Sequence, residues 1–152
     1  MLWWESVNKR VDGRSLNPVL LMGVAALASI LSACSSQSIG AKVAVELNEF
    51  KVTASPTTVT AGTITFDVKN VGVLPHEFIV FKTDVDPKGL PISGDRVDEE
   101  RLGGKIDEIE PENLGPGKSA TTVLNLAAGK YVLVCNIAGH YSAGMATAFS
   151  VN

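Results

Sequence analysis

Lys130-Tyr-Val-Leu-Val-Cys135 and Ala146-Thr-Ala-Phe-Ser-Val151 bracket the stretch that decides the fold, which reads KYVLVCNIAGHYSAGMATAFSV. Both flanks are short apolar runs, and the first is set off from the run Thr121–Leu126 by the turn Ala127-Ala128-Gly129. Runs of this length between turn residues are strands. The same pattern recurs upstream. Glu77–Lys82 (EFIVFK) is a short apolar run, and Ile64, Phe66 and Val68 alternate with Thr63, Thr65 and Asp67. Val43, Val45 and Leu47 alternate with Lys42, Ala44 and Glu46; Phe50 and Val52 follow after a one-residue slip that predicts a bulge. Breakers at Ser55-Pro56, Ala61-Gly62, Asn70-Val71-Gly72 and Gly115-Pro116-Gly117 fall between the runs. No stretch with a 3.6-residue period competes. Roughly six to eight strands punctuated this way predict an all-β, antiparallel sandwich or barrel with Greek-key connections.

One segment departs from the pattern. Thr83–Asn113 is charged and turn-rich, and reads as a solvated loop excursion between two strands. A helical turn near Asp98–Leu102 and a short strand at Lys105–Ile109 are expected within it. A loop of this length is also a candidate for docking a partner.

Composition narrows the functional classes. With 152 residues the chain has the size of one domain. Its 13 Lys and Arg stand against 16 Asp and Glu, a formal charge of −3, which excludes a broad basic footprint for nucleic acid. The apolar share of 45% against 19% charged is enough for a packed core. Two cysteines cannot staple a disulfide-dependent mini-protein.

The amino-terminal quarter reads as an address. Lys9, Arg10 and Arg14 precede the apolar run Val19–Leu31 (VLLMGVAALASIL), which is shorter than the roughly 20 residues that span a bilayer. A basic start followed by such a run matches a secretory signal. The run ends Leu31-Ser32-Ala33-Cys34, which resembles a bacterial lipobox. That resemblance implies cleavage of residues 1–33, acylation of Cys34, a lipidated tether over 34–41, and an anchored domain over 42–152. Two or more acyl chains hold a protein stably on a membrane. With Cys34 lipidated, Cys135 has no sulfur partner, and an unpaired thiol outside the cytoplasm calls for a reason such as metal ligation.

Past residue 33 the chain holds two histidines, one methionine and one further cysteine: His76, His140, Met145 and Cys135. Three of them form C-x4-H-x4-M between two predicted strands, and His76 follows Leu74-Pro75 at another strand end. Each alone is ordinary: methionine as core filler, cysteine as a small buried hydrophobe, histidine as a satisfied core or surface group. Gathered at strand ends they form a ligand set. Two imidazoles, a thiolate and a weak thioether are the donors of a blue-copper centre. Zinc also accepts Cys and His, but methionine is a poor zinc ligand. An iron–sulfur cluster needs more cysteines.

The pattern resembles the cupredoxins, the family of plastocyanin, azurin, rusticyanin and auracyanin. The resemblance rests on Thr60–Asn70 (TAGTITFDVKN), on Pro75-His76 and on the Cys135–His140–Met145 loop, and covers about Lys42 to Asn152. The loop spacing is similar to that of rusticyanin and auracyanin. The resemblance implies one copper ion cycling between Cu(I) and Cu(II), with His76, Cys135 and His140 equatorial and Met145 axial. It implies that the His140 ring edge reaches the surface amid an apolar patch of Leu74, Pro75, Ala138, Gly139, Tyr141 and Ala143, where redox proteins dock. Many members carry Asn or Ser after the first histidine to tether the cysteine loop. Here Glu77 stands there, bulkier and ionisable, leaving that role to Asn70 or Asn136.

The expected protein is therefore a monomeric one-electron carrier, not an enzyme. It would be lipid-anchored outside the cytoplasm of a bacterium, on the periplasmic or cell-surface side. A copper delivery or storage module is the competing reading. A copper enzyme would need further histidines.

Overall fold

The computed structural model describes residues 40–152; Cys34, the signal segment 1–33 and all but the last two residues of the tether 34–41 lie outside the described residues. Strand β1 (Ala41–Asn48) buries Val43, Val45 and Leu47 and exposes the residues between them, and β4 (Gly62–Asn70) does the same with Ile64, Phe66 and Val68. One face of each strand meets the core and the other meets water, which is why their alternation is so clean. They are joined by β2 (Lys51–Ser55) and β9 (Ser119–Leu126) in a four-stranded sheet of order β2-β1-β4-β9.

The second sheet has order β3-β11-β10-β5-β8, from β3 (Thr58–Val59), β5 (Phe78–Lys82), β8 (Asp107–Ile109), β10 (Gly129–Val134) and β11 (Ala146–Val151). The inner faces of the two sheets share one core in which Phe66 packs against Phe78 and Phe149 at ring-centroid separations of 5.5 and 5.3 Å. The all-β sandwich is as expected, but its sheets are mixed. β1 pairs β4 in parallel and β11 pairs β3 in parallel. The parallel pair follows from the route of the chain: it leaves β1 through β2, crosses to β3 in the other sheet, and returns on the far side of β1.

Two local expectations are corrected. The slip at Phe50 is a reversal rather than a bulge, for Asn48 pairs Lys51 across a turn made by Glu49 and Phe50. Nor is Thr83–Asn113 simply a solvated loop. It contains the hairpin of β6 (Ile92–Ser93) and β7 (Arg96–Val97), a 3-10 turn at Glu100–Leu102, and β8. Leu90 and Val97 are buried with Ile79, Phe81, Val132 and Val134, and with part of Leu102, Tyr141 and Ala146, in a second apolar cluster. The excursion thus covers the outer face of β5 and β10. That explains EFIVFK and KYVLV, whose consecutive apolar residues serve strands buried on both faces.

Candidate metal centre

The loop between β10 and β11 is short because its ends are already neighbours. Val134 pairs Ala146, and one step further the Cys135 N–H donates to the Met145 carbonyl at 3.0 Å. Within the loop His140 N–H donates to Ile137 O, and Met145 N–H donates to His140 O. Gly139 and Gly144 take positive φ (79° and 120°), which glycine adopts without the steric cost of a side chain. The loop therefore returns on itself and sets Cys135, His140 and Met145 around one point of the backbone.

His76 arrives from the other side of the sandwich, between β4 and β5. Asn70, fully buried at the end of β4, fixes that approach: its amide donates to Leu74 O and Leu114 O, both at 2.7 Å, and its Oδ1 accepts from Gly72 N–H. The His76 N–H donates to Leu114 O at 3.2 Å.

Three donor atoms then face one another. His76 Nδ1 lies 3.3 Å from His140 Nδ1 and 3.9 Å from Cys135 Sγ, and Sγ lies 3.4 Å from His140 Nδ1. The circle through a triangle with those sides has a radius of about 2.1 Å, and imidazole nitrogen and thiolate sulfur sit roughly 2.0–2.3 Å from a bound zinc ion, copper's neighbour in the first transition row. Glu49 Oε1 lies 3.2 Å from His76 Nε2, so the ring donates there and turns the Nδ1 lone pair inward. The set has the spacing and the lone pairs to hold a small cation. Of the residues singled out from sequence, His76, Cys135 and Met145 are fully buried and His140 is half-buried. Cys34 lies outside the described residues.

The electrostatics fit a largely buried site. Burial lowers the pKa of His76, opposed by Glu49, and burial together with His76 lowers that of His140. Both imidazoles therefore stay neutral near pH 7, as ligation requires. Burial pushes the Cys135 thiol up to about 11. The backbone N–H groups of Leu74 and Val73 hold Glu49 below the usual carboxylate range.

Three groups unused by the ligand pattern support it. The Glu77 N–H donates to Cys135 Sγ at 3.4 Å, so the backbone after the first histidine contacts the sulfur although its side chain is neither Asn nor Ser. Asn136 anchors the excursion beside the site: its Oδ1 accepts from Val97 N–H at 2.6 Å, its amide donates to Val97 O, and its own carbonyl accepts from Arg96. Phe50 meets the His140 ring edge-on, with centroids 5.2 Å apart. Phe50 was visible in the sequence only as part of a slipped alternation, and Glu49 carried no local signal at all.

Glu77 itself is buried, with Oε1 lacking any hydrogen-bond partner. Burial and the nearby Glu108 raise its pKa to about 7, which the Asn136 N–H and Arg96 only partly oppose. In the copper-free protein the folded state therefore holds this proton over a pH range where the unfolded chain has lost it. The resulting stabilisation is full below about pH 4.5 and is lost as pH rises to about 7. Relative to Glu77→Gln, which cannot titrate, the wild type is expected to lose up to about 3 kcal/mol across that window. Denaturant unfolding of both copper-free proteins at pH 5 and pH 8 checks this; an unchanged difference refutes it.

A β-sandwich closed over a Cys-His-His cluster of this geometry is a blue-copper protein of the cupredoxin class. Residues 27–152 match the family model described as the sulfocyanin (SoxE) domain, and the chain belongs to that family. Among solved structures, the dithionite-reduced auracyanin of Roseiflexus castenholzii is similar, with 26% identity and a TM-score of 0.52 over 76% of this chain and 98% of that one. Auracyanin A, a "blue" copper protein of Chloroflexus aurantiacus, has 23% identity and a TM-score of 0.51 over 74% of this chain and 99% of its own. Rusticyanin from Thiobacillus ferrooxidans has 19% identity and a TM-score of 0.52 over 73% and 76%. These last two establish fold alone. No curated protein matches the chain. Family and donor set together fit a single type 1 copper ion.

Proposed function

We propose that the chain is a one-electron carrier tethered outside the cytoplasm of a bacterium, with His76, Cys135 and His140 as equatorial copper ligands and Met145 as the axial one. Cupredoxins are generally extracytoplasmic electron carriers, and the signal and lipobox at the amino terminus supply export and an anchor at Cys34. The observation that carries the reading is that the three donors stand at metal-binding separation. Copper bound there supplies a centre that accepts and gives up one electron. The protein's part is to hold the donors still, so that little has to rearrange when the charge changes. The fully buried His76 and Cys135 also weigh against copper delivery, which favours accessible, exchangeable ligands.

The way in for electrons is the His140 side. There Leu74, Val73, Val71 and Phe50 are exposed at 42, 80, 41 and 42%. Pro75, Ala138 and Ala143 are exposed as well, whereas Tyr141 turns inward, its hydroxyl accepting from Leu90 N–H at 2.9 Å. A small apolar surface of this kind suits brief docking of a redox partner, where interfaces are small.

Absorption and paramagnetic-resonance spectra of the copper-loaded protein test the centre. An intense visible thiolate-to-copper band is expected, and a colourless copper(II) form with the thiol shown reduced beforehand overturns it. Incorporation of labelled fatty acid in cells, lost in Cys34→Ala, tests the anchor.

A further inference from the structure

The turn between β1 and β2 reaches across to the metal centre. Glu49 Oε1 takes three donors at once: the N–H groups of Val73 at 2.9 Å and Leu74 at 2.7 Å, and His76 Nε2 at 3.2 Å. Its side chain is about one-fifth exposed, while the histidine ring it holds is fully buried. One carboxylate thus fixes the loop that delivers His76 and the orientation of the ring. Space has been left for it. A Cβ placed on Gly72 would fall on the Glu49 carboxylate, and the backbone of Gly72 has no positive φ that would itself require glycine. The glycine is there for room.

We propose that Glu49 is a positioning and tuning residue of the copper centre: its carboxylate keeps the His76 proton on Nε2 and biases the bound ion toward its oxidised state. The inference rests on the copper reading given above. Hydrogen bonds from a ligating histidine to a carboxylate fix its tautomer and raise its basicity. A negative charge one imidazole ring away from the donors favours the more highly charged ion. Glu49 itself exchanges neither proton nor electron in the transfer.

Glu49→Gln separates charge from geometry, because the amide oxygen can still accept from Val73, Leu74 and His76. The copper-loaded full chain in detergent is titrated through its visible band for wild type, Glu49→Gln and Gly72→Ala. In Glu49→Gln the oxidised form is expected to lose at least tenfold in relative stability, an upward shift of about 59 mV or more for a one-electron couple. Gly72→Ala, which keeps the carboxylate but displaces it, should shift the same way by less. A wild-type chain without the band overturns the copper reading and this inference with it. A wild type with the band and a Glu49→Gln potential equal to it overturns this inference alone, because a purely structural clamp survives the amide. Should Glu49→Gln fail to fold, the Gly72→Ala potential decides.

Discussion

Cys135→Ser is expected to abolish the intense visible band of the copper-loaded protein, by more than tenfold in intensity, while the sandwich stays folded. Colour at such a site comes from charge transfer between thiolate and copper, and a hydroxyl cannot supply it. The fold should survive because the exchange is nearly isosteric and the hydroxyl inherits a donor, the Glu77 N–H now 3.4 Å from Sγ. Burying a hydrogen-bonded hydroxyl in place of a thiol costs about 1–2 kcal/mol, against the 5–15 kcal/mol of a typical domain. Spectra of the copper-loaded variant and unfolding of its copper-free form check the two halves separately. A retained band removes Cys135 from the ligand set. A lost fold makes it a core residue first, in keeping with its place beside Phe78 and Leu133 in the inter-sheet core.

The parts of this molecule that could be read from sequence are those in which a local pattern reports a local environment. β1 and β4 have one wet face and one dry face, so alternation alone places them. The Cys135–Met145 loop packs three donors within eleven residues, and His76 stands out because the chain past residue 33 has only one other histidine. Where environment depends on distant chain, the pattern is silent. β5 is buried on its second face by Leu90 and Val97, two apolar residues scattered among charges with no period to mark them. A reversal at Glu49-Phe50 and a bulge shift the alternation by the same single residue, so sequence alone cannot tell them apart. Strands β3, β6 and β7 have two residues each, too few for a period.

Glu49 and Glu77 show the same limit at the site. Glu49 acts on His76 across 27 positions, through a turn whose position only the folded sheet reveals. Glu77 looked like a loss of the usual tether, because the side chain was the only thing to compare. Its backbone N–H makes the contact to sulfur whatever side chain it bears, so a departure at that position keeps this one hydrogen bond.

Copper(I) affinity is expected to rise about tenfold per pH unit from pH 7 to pH 10. The sign follows from which groups still hold protons. The imidazoles of His76 and His140 have pKa values lowered from 6.5, so above pH 7 they are neutral and bind without losing a proton. The Cys135 thiol, at about 11, remains protonated over the whole range and must give up one proton for each ion bound. Three pH units then amount to about a thousandfold, or roughly 4 kcal/mol at 1.36 kcal/mol per unit. An ordinary exposed thiol would level off near pH 9, so the range from pH 9 to pH 10 distinguishes the two cases. Competition against a chelator, corrected for the chelator's own protonation, measures the slope, and calorimetry in two buffers of different ionisation enthalpy counts the proton. A plateau above pH 9, or no proton released, refutes the prediction. The burial that raises the thiol's pKa also keeps water from the sulfur. A thiolate alone is costly there, but one neutralised by a cation is not, so in this pocket ionisation of the cysteine and capture of the metal are a single event.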